Sequence, residues 1–447
     1  MTQSHPPPNS AESIVGSNSD AQNAIAQYNL GNTLRAAGQI ESASACFQLA
    51  VQLQPDNALF LHLLGMTQYE LGHLDAALVS FKHALCIAPD NVDVYNLLGN
   101  VLRDQGHFDA ALENYRRALQ LNPDYLNSRS NLLFTAAYLP GQDPIALLSQ
   151  ARIYGDVVAR RARPYTSWTN SRESERRLRV GLVSGDLRTH PVGYFIEGVL
   201  AAIASNPAAG IEFFAYYNLI GHEDALSERI KSSCVTWRSV FALSDEALST
   251  LIHNDNIDVL IDLSGHTGLN RLAMFAWKPA PVQVSWLGYF STTGIAAINY
   301  VIADPWVVPE SGANHFSERI WRLPESRLCF TATNISVEVA ALPALENGVI
   351  TFGCFNNLSK MNDAVVALWA NVLLAIPDSR LFLKAKQLQE FDAQQAVRAR
   401  FARHGVDPDR LLLEGFTSHS TYLEAYHRVD IALDPFPYNG GTTTIEA

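Results

Sequence analysis

Shifted by 34 residues against itself, the chain matches in seven columns: Leu30/Leu64/Leu98, Gly31/Gly65/Gly99, Gly38/Gly72/Gly106, Ala43/Ala77/Ala111, Phe47/Phe81/Tyr115, Ala50/Ala84/Ala118 and Pro55/Pro89/Pro123. A fixed period of this length means that one supersecondary unit recurs and stacks on its own copies, because no single unit can bury its apolar face alone. The residue types say which unit. Small Gly and Ala allow two antiparallel helices to approach closely, an aromatic side chain is expected to fill the gap between neighbouring pairs, and Pro ends the second helix. Residues 127–138 read as the first helix of a fourth unit that then leaves the pattern, as a cap joined to a further domain would.

Period and columns are those of the tetratricopeptide repeat, in three copies over residues 24–124. Such a solenoid curves into a groove, so binding of protein or peptide partners is expected in preference to a purely structural spacer. Asn29, Asn32, Asn96 and Asn100 lie on the first helices of repeats one and three, where an amide could hold a peptide backbone. Only Asn32 and Asn100 share a column, and Met66 interrupts it in the middle repeat.

With 447 residues, 48% of them hydrophobic, the chain is long enough for two to four domains with sizeable cores, and it reads as a soluble globular protein. A formal net charge of −12 argues against the broad Lys/Arg field that nucleic-acid binding requires. Five dispersed cysteines (Cys46, Cys86, Cys234, Cys329, Cys354) without C-x-x-C spacing are expected to be buried thiols in a reducing cytoplasm. Residues 1–20 have neither a basic nor an apolar targeting segment and, being rich in Pro, Ser and Asn, are expected to form a disordered tail. The most apolar stretch, 364–377, contains Asn371 and is too short to span a bilayer, so no membrane partner is expected.

Beyond the repeats, the expected boundaries are 21–140 for the solenoid with its cap, 141–177 for a helical linker, 178–345 for a first α/β domain and 346–447 for a second. In the first, apolar strands at 179–184, 212–217, 257–263, 282–286 and 300–303 alternate with helical segments, the mark of a parallel, doubly wound sheet. Loops SGDLRTHP and DLSGHTG then fall at the carboxyl edge, where such folds bind ligands. The second series has strands at 349–354, 380–383, 411–413 and 431–434, with helices at 363–376, 393–404 and 420–427. Together they suggest a cleft between two Rossmann-like halves, the second incomplete, as in a fragment of a longer protein.

Candidate chemistry sits on the loops. In DPFPYNGGTTTIEA, glycines permit close backbone approach, and Thr442 and Thr443 open a helix that either holds a diphosphate or is simply Thr-capped. Glu446 could bond a ribose hydroxyl. In FGCFNNLSKMND, Lys360 at the mouth of the cleft is either a surface lysine or a cation that neutralises a departing phosphate without a metal. His190, in SGDLRTHPVGYF, suits a general base or a hydrogen-bond donor that shapes the pocket, and His266 in DLSGHTG occupies the corresponding edge of another strand. Asp407-Pro-Asp409 has the spacing of a metal-binding D-x-D but lies in a polar turn and is read as turn chemistry.

Tetratricopeptide repeats followed by LRVGLVSGDLRTHPVGYF, DLSGHTG, KPAPVQVSWLGYFSTTG, FGCFNNLSKMND and NGGTTTIEA resemble the O-linked N-acetylglucosamine transferase/SPINDLY family, particularly its bacterial members, over nearly all of the chain after residue 20. The resemblance implies a GT-B glycosyltransferase with an inverting, metal-independent mechanism that moves N-acetylglucosamine from UDP-GlcNAc to Ser or Thr hydroxyls of proteins, with no cofactor. It also implies site roles: Lys360 on the diphosphate with Asn357 beside it, and Thr442 and Thr443 on the same phosphates. Glu446 would be the ribose ligand and Tyr422 would stack on uracil, while Leu287, Gly288, His266 and Thr267 would border the sugar. His190 matches a histidine proposed as catalytic base. Gly441 and Asp258 stand where animal members have His, so no imidazole acts at either place. SPINDLY-type members imply GDP-fucose as an alternative donor, and a non-catalytic scaffold is the alternative of another class.

Overall fold

The computed structural model describes residues 10–333, 335 and 337–447, with side chains from residue 19 onward. The chain divides into two compact units, 1–128 and 129–447.

The first unit is built from antiparallel helix pairs: α1 (Ser10–Ala36) with α2 (Ile40–Leu53), α3 (Ala58–Glu70) with α4 (Leu74–Ile87), and α5 (Val92–Asp104) with α6 (Phe108–Leu121). Helix α7 (Leu126–Ala136) contains the division between the units. The repeat columns have separate physical roles. A Cβ on Gly31, Gly65 or Gly99 would come within 2.7, 2.6 or 2.4 Å of the Phe47, Phe81 or Tyr115 ring. Each ring therefore packs against the glycine of its own helix pair, and Phe47 and Phe81 also share an apolar cluster with the next pair, Phe47 with Leu64 and Phe81 with Val94 and Leu98, as the sequence suggested. Gly38, Gly72 and Gly106 have open space around them and φ of +76°, +82° and +83°, so they serve the turn, where an L side chain is strained. The expected tail is helical from Ser10, just beyond its last proline, Pro8; residues 1–9 of that expectation lie outside the described residues.

The amide candidates separate as well. Asn96 is buried and its Oδ1 accepts from Ser128 Oγ at 3.0 Å, while Asn100 Oδ1 accepts from the Tyr115 hydroxyl at 2.9 Å. Both oxygens are engaged inside the solenoid. Asn29 is exposed and Asn32 partly so.

In the second unit, α8 (Pro144–Arg161) starts on an Asp143 cap, whose Oδ1 accepts from Ile145 N–H, with Pro144 at the first helical position. Far from a loose linker, it is bound tightly into the fold. A Cβ on Gly155 would lie 1.9 Å from the Gly294 carbonyl oxygen, and one on Gly294 would lie 2.0 Å from that of Ala151, so backbone meets backbone. The following segment runs along the amino edge of the first sheet, with Trp168 Nε1 donating to the Lys278 carbonyl at 3.2 Å and Asn170 Nδ2 to Asp258 Oδ1 at 2.7 Å.

The first sheet contains β1 (Leu178–Ser184), β2 (Ile211–Tyr217), β3 (Thr236–Ser239), β4 (Val259–Asp262), β5 (Val282–Ser285), β6 (Tyr300–Ala303) and β7 (Arg319–Arg322), all parallel, in the order β3-β2-β1-β4-β5-β6-β7. Helices α9 (Pro191–Ala204), α10 (Ala225–Ser232), α11 (Asp245–Asn254) and α12 (Leu272–Phe275) intervene. Strand β1 reads as a near-continuous apolar run because helices cover both faces of a parallel sheet. Sequence reading missed β3 and β7, the two edge strands, whose TWRS and RIWR lack such a run because one side is open.

The second sheet has the order β10-β9-β8-β11, again parallel, from β8 (Thr351–Cys354), β9 (Arg380–Lys384), β10 (Leu411–Glu414) and β11 (Ile431–Ala432). With it come α13 (Ala344–Asn347), α14 (Asp363–Ala375), α15 (Phe391–Ala402), α16 (His419–Glu424) and α17 (Thr442–Glu446). Its core joins Val365, Trp369 and Leu373 of α14 to Leu381 and Leu383 of β9 and Phe401 of α15. The solenoid followed by two Rossmann-like halves is the architecture expected from the sequence.

Candidate active site

Every candidate residue of the second half lies on the loop or the short helix that follows the carboxyl end of a strand. Past β8, the chain must place consecutive asparagines on opposite sides. Asn356 turns inward, buried, and Asn357 turns outward. Lys360 Nζ donates to Asn356 Oδ1 and to the Asn439 carbonyl, each at 3.0 Å, and the same Asn356 oxygen accepts from Thr443 Oγ1 at 2.9 Å. The residue beside Lys360 is therefore Asn356. Asn357 Oδ1 accepts instead from Ser359 N–H at 2.9 Å and Gln387 Nε2 at 2.6 Å, and so stabilises the turn that carries Lys360.

Burial lowers the Lys360 pKa, opposed by the nearby Asp434 carboxylate. Asp434 Oδ1 also accepts from Gly440 N–H at 2.7 Å, which holds the turn 435–441 over the strand end. Gly440 has no alternative there, since a Cβ would lie 2.0 Å from Thr444 Oγ1. The two threonines have different fates. Thr443 spends its hydroxyl on Asn356, whereas Thr442 Oγ1 is buried without a hydrogen-bond partner. A second buried orphan, Gln387 Oε1, lies on the loop after β9. An unpaired buried acceptor or hydroxyl is costly, and a polar ligand is one way to satisfy it.

An aromatic and acidic group adjoins these residues. Glu446 Oε1 lies 3.0 Å from His419 Nε2, and Tyr422 faces Tyr426 with their hydroxyls 3.3 Å apart. Tyr426 in turn donates to the Thr443 carbonyl at 3.0 Å, tying the group to the Lys360 loop. Burial first, then Tyr426 and Glu446, raises the Tyr422 pKa well above the ordinary phenol value. His419 and Tyr426 escaped sequence reading because a lone His or Tyr on a short helix carries no spacing signal.

Across the cleft, His190 caps α9, its Nδ1 accepting from Val192 N–H at 3.3 Å. Burial lowers its pKa, with Asp186 opposing from 3.7 Å. A neutral ring that accepts at Nδ1 carries its proton on Nε2, so the free nitrogen is a donor. One turn further along α9, Tyr194 lies within the field of Glu446, which helps raise its pKa after burial; the two halves thus face each other here.

The expected sugar-side residues are only partly available. His266 is 1% exposed, donates from Nε2 to the Thr293 carbonyl at 3.0 Å and accepts at Nδ1 from Ser130 Oγ at 2.9 Å. Burial pushes its pKa down to about 4, which keeps that tautomer neutral. Edge contacts with Tyr154 and Tyr289 complete its surroundings, leaving no nitrogen for a sugar. Leu287 is likewise a core residue, with φ of +67°. Gly288 allows its loop to lie on the DLSG turn, as a Cβ would meet the Leu263 carbonyl oxygen at 2.3 Å. Gly288 and Thr267 reach the surface; His266 and Leu287 shape the wall from behind. Asp262, overlooked in the same motif, accepts from Ser264 N–H at 3.1 Å, Gly265 N–H at 2.9 Å and Ser285 Oγ at 2.8 Å, and burial pushes its pKa up to about 6.

Other expectations resolve by position. Asp258 lies at the amino edge, where Arg176 grips it at 2.7 and 2.6 Å, away from the ligand edge. Gly441 is surrounded by open space. Asp407 Oδ1 accepts from Asp409 N–H at 2.9 Å, the expected turn. Cys46 and Cys354 are buried, but Cys86 and Cys329 are exposed, so burial does not hold for all five thiols.

Residues 152–333 match the model of glycosyl transferase family 41, and tetratricopeptide models match residues 31–72, 58–91 and 92–125. The probable UDP-N-acetylglucosamine–peptide N-acetylglucosaminyltransferase SPINDLY of Petunia hybrida is 36% identical over 326 residues, covering 72% of this chain and 34% of the relative. The probable enzyme of the same activity named SEC, from Arabidopsis thaliana, is 31% identical over 281 residues, 60% of this chain and 28% of its own. The chain thus spans about a third of the length of the curated plant relatives it matches. A solved mutant of the Thermobaculum terrenum O-GlcNAc transferase superposes with a TM-score of 0.87 at 34% identity, covering 96% of this chain and 81% of that one. On that likeness, with the repeats and the family 41 match in the same order, the chain belongs to the O-GlcNAc transferase/SPINDLY family of glycosyltransferases.

Proposed function

We propose that the protein transfers N-acetylglucosamine from UDP-GlcNAc to Ser or Thr hydroxyls of protein acceptors, by an inverting mechanism that needs no metal. The observation that carries this is Lys360: an ammonium group at the carboxyl edge of the second sheet, held by an amide oxygen and a backbone carbonyl that a phosphate can replace, beside the orphaned Thr442 hydroxyl. A charged donor in that place meets the negative charge that develops on the leaving diphosphate.

In this reading the uridine lies along Tyr422 and Glu446, the diphosphate on Lys360 and Thr442, and the sugar toward Thr267 and Gly288. Nε2–H of His190 orients an oxygen of the reacting pair. The acceptor hydroxyl attacks the anomeric carbon opposite the diphosphate; the new C–O bond forms as the bond to the phosphate oxygen breaks, UDP leaves with the electron pair, and water takes the acceptor proton. Inversion follows from this single displacement. The names of the relatives support the donor and a peptide acceptor, and the repeats supply a surface for such acceptors. All five cysteines are free, which suits a reducing cytoplasm, and no helix among the described residues is long and apolar enough to cross a membrane.

Titration with UDP and with GDP, followed by transfer from UDP-GlcNAc to a Ser/Thr peptide, tests the proposal. UDP binding with transfer is expected. Binding of GDP alone would move the reading to fucosyl transfer, and binding of neither would leave a scaffold.

A further inference from the structure

Tyr438 is one of two aromatic residues in the turn 435–441, with Phe436, and its ring is touched from three directions. It stacks on Tyr138 with centroids 4.1 Å apart and planes at 15°, and it meets the edges of Phe134 on α7 at 6.1 Å and of Phe290 at 5.1 Å. Lys360 Nζ lies 5.1 Å from its centroid, while the carbonyl of the next residue, Asn439, accepts from the same ammonium group. One side chain of the second half thus contacts Phe134 of α7, Tyr138 just after it, Phe290 of the first half and the phosphate-site lysine together.

We infer that Tyr438 is a positioning residue for Lys360: its ring, clamped by Tyr138, Phe134 and Phe290, fixes the ammonium at the phosphate site and holds the turn that supplies the Asn439 carbonyl. The physics is twofold. The π face attracts a cation that has lost part of its hydration, and the clamp removes the rotamer freedom that Lys360 would otherwise have to lose on meeting a ligand. Without the ring, Lys360 keeps its charge and its Asn356 bond but loses one wall of its cage. The catalytic part of this inference rests on the transferase reading above; the placement of Lys360 does not.

The test therefore has two arms. Reductive ¹³C-dimethylation followed by NMR identifies the Lys360 signal by its loss in Lys360→Arg. Ring-current shielding is expected in the wild type and in Tyr438→Phe, and its loss in Tyr438→Leu. An unmoved Lys360 signal in Tyr438→Leu overturns the inference, whatever the protein transfers. Should Tyr438→Leu fold poorly, Tyr138→Leu, which removes only the stacking partner, is expected to shift the signal in the same direction, and no shift overturns it.

In the second arm, Tyr438→Leu lowers kcat with UDP-GlcNAc and peptide about tenfold, within the range of a partly desolvated cation–π contact, with the peptide KM unchanged. Tyr438→Phe restores turnover. In a Lys360→Ala background, Tyr438→Leu costs nothing further, whereas a merely structural role would lower both backgrounds alike and would overturn the assignment. A wild type that neither binds UDP nor transfers sugar refutes the proposed function and leaves the NMR arm to decide Tyr438.

Discussion

At the carboxyl edge of the first sheet, His266, Asp262, Ser285 and Thr293 bond to one another's neighbours and to the backbone and so hold the DLSGHTG loop, although Ser264 Oγ is buried there without a partner. At the edge of the second, Lys360 rests on a side-chain oxygen and a carbonyl, while Thr442 Oγ1 and Gln387 Oε1 are buried with no partner at all. Both edges have the residue types of a binding site. The difference lies in which groups are engaged: on the first edge the imidazole of His266 and the carboxylate of Asp262 are tied down inside the wall, whereas on the second a cation and an unpartnered hydroxyl lie on neighbouring loops where a ligand can add hydrogen bonds. His190 is also open on the first side, since capping α9 engages one nitrogen and leaves the other to donate.

The contrast can be broken by four measurements. The largest effect is expected from Lys360→Ala, which should cut turnover by about 10²–10³, the loss typical of one preorganised donor to a developing charge, with little change in melting temperature. Equal losses of stability and turnover would mean that the second edge is structural too. His266→Ala should do the reverse: about 2–4 kcal/mol of stability lost in chemical denaturation, because a buried ring and two hydrogen bonds disappear, while UDP affinity is kept. A variant of normal stability that no longer binds donor would return His266 to the ligand side.

Thr442→Val removes a hydroxyl that bonds nothing in the protein, so folding should be unaffected and UDP affinity about tenfold weaker, as for one hydrogen bond to a charged group. Thr443→Val is the matched control, expected to disturb the Asn356–Lys360 contact as well.

The last effect is in pH dependence. His266 has a pKa of about 4 in the fold against 6.5 ordinarily, so between those values the unfolded chain binds the extra proton, and this residue's contribution to stability is lost as pH falls from 6.5 toward 4. Asp262 runs the other way, since its pKa is raised from 3.8 to about 6 and the folded state holds the proton; its contribution weakens as pH rises through that range. Denaturation at pH 7, 5 and 4 should show His266→Gln losing less stability on acidification than the wild type. Parallel curves for the two proteins would contradict the burial of a neutral imidazole.

Sequence patterning reached far into the solenoid and the inner strands because repeats and buried parallel strands are governed by local periods. It reached the site unevenly. Lys360, Thr442 and His190 were legible as polar residues on strand-to-helix loops, while Asn356 and Asn357 were exchanged because adjacent residues on a turn diverge in direction, and nothing in an FNN triplet says which points inward. His266 was read as a pocket residue from its loop position and the family resemblance, although its surroundings come from Ser130, Tyr154 and Thr293, segments separated from it in the chain.

The sequence by itself determined three tetratricopeptide units, two α/β halves, the loops on which chemistry resides and the family to which the motifs point, since each depends on spacing within a short stretch. Tertiary structure alone decided which polar groups remain available. Saturation of a hydrogen bond depends on partners brought from distant segments, and so does the cage of Tyr138, Phe134 and Phe290 that holds Tyr438 against Lys360.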